Sequence, residues 1–122
     1  MFKVIIAGSR EFDDYDKLKE KCDKILSRKV KEGEEIIVVS GAARGADTLG
    51  EKYAEEKGYK VERYPANWNK YGNRAGYLRN KKMAEVSNAC IVFLCKDSEN
   101  KGSKMMISIA TEEKLLLRVI KD

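Results

Sequence analysis

The chain has 122 residues, 43% of them hydrophobic and 37% charged, which suits one soluble α/β-sized domain with a single core rather than a disordered segment. It contains no histidine, so Ser-His-Asp and Cys-His catalysis, the usual catalytic zinc sites and imidazole acid-base chemistry are excluded. The net charge of +5 is concentrated between Asn67 and Ala84, where Lys70, Arg74, Arg79, Lys81 and Lys82 stand without an acidic residue.

In chain order, Lys3 to Ala7 is a short apolar, β-prone run ending at Gly8. Leu18, Cys22, Ile25, Leu26 and Val30 recur at helical spacing, which predicts a helix from about Asp14 to Lys31 with Gly33 as its stop. The run "EIIVVSG" is a second strand. Ala46, Leu49, Tyr53, Ala54 and Lys57 then mark a second helix, closed by Gly58. "YKVERYP" is a third, more polar strand, and a loop leads to a helix from about Arg74 to Ser87. "CIVFLC" is the fourth strand, a helix from about Ser103 to Leu116 follows, and "LRVI" is the fifth strand.

This strict alternation predicts a Rossmann-like three-layer α/β sandwich, one domain over residues 1–122, built on a five-stranded parallel sheet. Strands one, two and four are continuously apolar, as strands covered on both faces must be, whereas strands three and five read as edges. The order 3-2-1-4-5 follows, with a topological switch between strands one and four. No apolar run approaches the ~20 residues of a membrane span, and "KVIIAG" is too short for a signal peptide, so a cytoplasmic protein with no membrane partner is expected. Cys22, Cys90 and Cys95 are odd in number and lack metal-ligand spacing, which predicts buried reduced thiols, no metal and no cofactor.

Ligands in such sheets bind beyond the carboxyl ends of the strands, near the switch point. Four loops should meet there, and they carry most of the glycines and the densest arginine. In "VSGAARGAD", Gly41 and Gly45 let a ligand approach bare backbone, and free N–H groups opening the second helix would favour a phosphate. Arg44 adds a fork of donors, while Asp47 either accepts from ribose hydroxyls or complements the helix dipole. On this view Gly45→Val blocks the ligand and spares the fold. Gly8, Ser9 and Arg10 leave the central strand; Arg10 either folds over an anion or pairs with Glu11 or Asp13 on the surface. Ser103 is an N-cap candidate, and with Gly102 it also forms a phosphate cradle before the last helix. Arg79 shares a helix face with Met83, a core candidate. Asn73 and Asn80 are base or ribose contacts, and Trp68 either stacks on a base or packs under its loop.

Together, "AGSREF", "VSGAARGAD", "YPANWNKYGNRAGYLRNKKM" and "NKGSKMMISIA" resemble the SLOG superfamily, and within it the YspA-like group related to cpYpsA, over nearly the whole chain. Relatives in the superfamily include the LOG proteins and the DNA-processing protein DprA (Smf). The resemblance implies a site for a nucleotide-derived ligand: Gly8, Ser9 and Arg10, then Gly41, Arg44, Gly45 and Asp47. Arg79 and Asn80 match its Arg-Asn-x-x-Met segment, and Gly102 with Ser103 its Gly-Thr turn. LOG enzymes resemble phosphoribohydrolases with a Pro-Gly-Gly-x-Gly-Thr-x-x-Glu motif. Here the Pro-Gly-Gly is missing and Met106 stands in place of the glutamate, which leaves Asp47 as the candidate catalytic carboxylate, or else Glu11.

The expected function is therefore binding or sensing of a nucleotide-like small molecule, such as a nucleoside phosphate, an ADP-ribose derivative or a cyclic nucleotide. Two alternatives are a LOG-type hydrolase of N-glycosidic bonds and a DprA-type binder of single-stranded DNA, the latter using the basic, aromatic 67–84 segment. Family members self-associate, which makes a homo-oligomer the expectation, with Met105 and Met106 as candidate interface residues.

Overall fold

The computed structural model describes residues 1–96 and 98–121. In chain order the elements are β1 (Phe2–Gly8), α1 (Tyr15–Lys31), β2 (Ile36–Ser40), α2 (Ala46–Lys57), β3 (Lys60–Arg63), α3 (Trp68–Tyr71), a 3₁₀ turn (Gly72–Arg74), α4 (Ala75–Val86), β4 (Ala89–Leu94), α5 (Lys101–Glu112) and β5 (Leu116–Lys121). All four strand pairs are parallel, in the order β3-β2-β1-β4-β5, as the hydrophobic runs predict.

The side-chain alternation of the strands divides the core into two layers. Val4 and Ile6 of β1, with Ile91 and Phe93 of β4, face Leu18, Cys22 and Leu26 of α1 and Tyr53 and Ala54 of α2. Ile5 and Ala7, with Cys90 and Val92, face Met83 and Ala84 of α4 and Met106, Ile109 and Ala110 of α5. Residues on both faces of β1, β2 and β4 are buried, so these strands must be apolar at nearly every position. β3 and β5, with one neighbour each, are partly exposed.

Local chemistry sets the helix ends. Asp14 caps α1 by accepting the Lys17 N–H at 3.1 Å. Gly58 closes α2 in the left-handed conformation. α5 departs from expectation at both ends. It begins at Lys101 because Asn100, at φ 54°, turns the chain. Ser103 is therefore the third helical residue and not the N-cap. The helix stops at Glu112 because Leu116 is drawn into pairing with Ala89 of β4. The 67–74 stretch, read as loop, contains α3, capped by Asn67 through Lys70 N–H.

Met106 lies in the core and so cannot supply the apolar interface expected of it, whereas Met105 packs against that core and is only partly buried. Cys22 and Cys90 are buried free thiols; Cys95 is free and half-buried. Burial pushes both buried thiols up to about 12. No helix among the described residues is long and apolar enough to cross a membrane.

Helix α2 lies so close to β1 that a Cβ on Gly50 would sit 2.7 Å from Ile6 Cγ2. Gly50→Val should therefore lower stability by about 1–3 kcal/mol through overpacking, read as a lower urea midpoint with an unchanged slope.

Candidate functional site

Parallel strands bring all their carboxyl ends to one edge of the sheet, and the loops leaving β1, β2, β3 and β4 meet there. The join is made by backbone. Ser9 N–H donates to Phe93 O of β4 at 2.9 Å, and Ser9 O accepts from Ala46 N–H of α2 at 3.2 Å. Two glycines allow it. A Cβ on Gly8 would fall 2.1 Å from Phe93 O, and one on Gly45 would fall 2.4 Å from Ser9 O. Both glycines also take positive φ, 155° and 81°.

This arrangement changes the roles expected in the "SGAARGAD" loop. The Ala42 N–H donates to Ser40 Oγ at 3.1 Å, the Ala43 N–H to Asp47 Oδ2 at 3.3 Å, and the Ala46 N–H to Ser9 O. Three amides that would cradle a phosphate are thus committed within the protein. Gly45 serves the loop-to-loop contact and lines no part of the crevice described below, so Gly45→Val would displace the β1 loop along with any ligand. Ala42 holds a left-handed φ of 60°, a conformation costing a residue with a Cβ roughly 1–2 kcal/mol.

The loops enclose a crevice with two lobes. The larger, of about 910 Å³, runs from Gly8 and Ser9 past Asp47, Asn80 and Met83 to Gly102, Ser103 and Met106. The smaller, of about 330 Å³, lies between Gly41–Arg44, Pro65–Ala66 and the arginines Arg10 and Arg79. Arg10, Ala43, Trp68 and Arg79 border both. Twelve of the thirteen residues expected at the site therefore line one lobe or the other, Asn73 among them, and Gly45 stands behind them. Trp68 is 52% exposed and stands where the lobes meet, so it does not pack under its loop.

Arg79 is held at two points: Nε donates to Asn80 Oδ1 at 2.8 Å, and Nη1 donates to Gly41 O. Gly41 is the gap that admits it, since a Cβ there would lie 2.7 Å from Arg79 Nη1 and 2.8 Å from Asp47 Oδ2. Asp47, only 6% exposed, sits below this contact. Burial pushes its carboxyl from an ordinary 3.8 up to about 6, against the lowering by Ala43 N–H, Arg79 and Arg10. Burial lowers the Arg79 guanidinium, which Asp47 partly offsets.

Sequence reasoning missed Ser98 and the part Glu11 plays with it. Ser9 Oγ and Ser98 Oγ both donate to Glu11 Oε2, at 2.9 and 3.1 Å, tying the β4–α5 loop to the β1 loop. The Ser9 and Ser98 hydroxyls hold this carboxyl below the usual glutamate range. Glu11 Oε1 meets Arg44 at 3.9 Å, so the surface ion pair considered for Arg10 is made by Arg44. The adjacency of Ser9 and Glu11 is visible in the sequence; Ser98 lies 89 residues away from Ser9, and nothing local signals the contact.

Two buried polar side chains open on the larger lobe with hydrogen-bonding capacity to spare. Asn80 is 4% exposed and its Oδ1 is taken by Arg79, which orients the carboxamide and leaves its NH₂ without a partner among the described residues. Ser103 is 6% exposed, and its hydroxyl likewise has none. The buried side-chain atoms that are both unpartnered and sealed from solvent are others, Ser87 Oγ and Asn100 Oδ1. Beside Ser103, a Cβ on Gly102 would meet nothing within 4 Å, so the first turn of α5 presents open backbone.

The family model described as YspA, cpYpsA-related SLOG family matches residues 2–71, which carries it from β1 through α3. Arg79, Asn80, Gly102 and Ser103 lie beyond that match. "Gene 61 protein" of Mycobacterium phage D29 is 31% identical over 99 residues, 76% of this chain and 77% of its own length.

The raised Asp47 carboxyl has a defined consequence for stability. A carboxyl whose folded pKa exceeds its unfolded value binds more protons when folded, so stability falls as pH rises from about 4 through about 6, then levels. Urea midpoints at pH 4 to 7 should show this decline, and Asp47→Asn should flatten it, because the amide oxygen still accepts from Ala43 N–H.

Proposed function

We propose that this chain, which belongs to the YspA, cpYpsA-related SLOG family, binds a nucleotide-derived small molecule in the crevice beyond the strand ends. One observation carries the reading: Asn80 and Ser103 are nearly buried, keep polar side-chain atoms without a partner among the described residues, and both open on the larger lobe. Neither atom is sealed from solvent, so a ligand in the lobe takes over hydrogen bonds that water otherwise makes. The ligand side of the match is a phosphate on the α5 amides with Ser103, and a ribose or base edge on Asn80. Trp68 offers a face for a planar group, and Arg10, Arg44 and Arg79 draw an anion in.

Binding without turnover is the favoured form. Met106, which stands at the position of the LOG glutamate, is packed among apolar side chains, so no carboxylate is supplied there. Asp47, the candidate carboxylate, lines the larger lobe, but its Oδ2 is engaged by Ala43 N–H.

A second reading rests on exposure of Trp68, Tyr71 and Tyr77 within the basic segment, a surface on which single-stranded nucleic acid would stack. The two separate by salt: several phosphate contacts make strand affinity fall steeply with ionic strength.

The test is a thermal-shift screen with nucleoside phosphates, cyclic nucleotides, ADP-ribose and a short single strand. A ligand at ~100 times its Kd adds about 2.7 kcal/mol, which raises Tm by several degrees. Ser103→Ala should weaken the nucleotide by about tenfold while leaving the free protein as stable as before or slightly more so. A shift with the single strand alone, abolished by salt, would replace the small-molecule reading.

A further inference from the structure

The two lobes differ in chemistry: each holds groups that suit an anion, and the larger is also lined by Glu11, Asp47 and Glu99. In the larger lobe the open first turn of the twelve-residue α5 lies beside Ser103, whose buried hydroxyl has no partner among the described residues. In the smaller lobe Arg10, Arg44 and Arg79 converge, and none of its nine lining residues is acidic. Arg10 and Arg79 border both lobes. Arg44 borders only the smaller lobe, whereas Lys101, Gly102 and Ser103 border only the larger.

Arg79 stands between them and is pinned at Nε and Nη1, so it is a fixed partition with its outer nitrogen still free to donate. Arg44 is held only by a 3.9 Å contact to Glu11 between two largely exposed side chains, a pair with little to lose when the guanidinium turns to a better acceptor. Arg10 has no ion-pair partner among the described residues. A ligand with a single phosphate meets either Ser103 and the α5 turn or Arg44, and leaves the other unmatched.

Resting on the nucleotide-binding reading, we propose that the occupant carries phosphate at two positions, one seated on the first turn of α5 with Ser103 and the other among Arg10, Arg44 and Arg79. Trp68, at the junction of the lobes, takes a flat part of the molecule between them. A nucleoside bisphosphate, whose phosphates leave different ribose carbons, has this chemistry; in a pyrophosphate-linked dinucleotide the two phosphates share one bridging oxygen, and a nucleoside monophosphate has only one.

The experiment is calorimetric titration of the whole chain at low ionic strength with AMP, adenosine 3′,5′-bisphosphate and a pyrophosphate-linked adenine dinucleotide. Adenosine 3′,5′-bisphosphate should bind about tenfold or more tightly than AMP, since a charge-assisted contact is worth about that factor. In Arg44→Ala this ratio should collapse toward one, and Arg44→Lys should recover part of it. The guanidinium is exposed, so the substitution spares the core. A gain for the dinucleotide alone, whose two phosphates are adjacent, overturns the placement of separate phosphates in the two lobes. Equal affinity for all three in the native chain, or a ratio that survives Arg44→Ala, overturns the two-phosphate assignment and leaves nucleotide binding standing. No binding by AMP or by either two-phosphate probe ends both.

Discussion

The site depends on one peptide unit. Ser9 gives its N–H to β4 and its carbonyl to the start of α2, and so ties three loops into one wall. Neither bond forms unless two neighbouring positions lack a Cβ, because Gly8 lies against the Phe93 carbonyl and Gly45 against the Ser9 carbonyl. Buried backbone groups must find partners, and here they find them across the switch point of the sheet. The crevice is the space left when strands β1 and β4 send their chains to opposite sides of that joint.

Electrostatics follow from the same geometry. The Ala46 N–H of α2 and the Ala42 and Ala43 N–H groups before it hold the loops together, so three donors at that helix end are taken from an anion. The positive character of the crevice comes instead from side chains of three different elements and from the free first turn of α5. Asp47 is the counterweight. It is buried below Gly41, where it accepts from Ala43 N–H and lies close to Arg79, so it shapes the loop from within. A carboxylate pulled from water and only partly compensated by a guanidinium holds a proton to higher pH than usual. The elevated carboxyl is therefore a consequence of packing the loop tightly, and Arg79 is kept straight by the same packing.

Much of this is legible in the amino-acid sequence. The order of strands can be read because burial on both faces leaves a strand no polar positions, and β1, β2 and β4 have almost none. The residues of the crevice can be read because parallel strands deliver every βα loop to one edge, whatever the details of the helices. Which groups already have partners is not legible. "SGAARGAD" has the composition of a phosphate loop, yet Ser40, Asp47 and Ser9 take three of its N–H groups, those of Ala42, Ala43 and Ala46. Ser103 has the identity of a cap, but Asn100 supplies the turn and frees the Ser103 hydroxyl.

Periodicity and the handedness of βαβ connections are properties of the chain itself, so they dictate the architecture, the edge that carries the site and the kinds of side chain found there. Folding in three dimensions settles the rest: which hydrogen-bonding groups are engaged and which are spare, where Met105 and Met106 lie, and that Arg79 divides the crevice in two. Those matters depend on contacts between residues far apart in the chain, such as Ser9 with Ser98 or Gly41 with Arg79. A hydrogen bond is satisfied by whichever partner arrives within about 3 Å, and sequence spacing carries no record of that meeting.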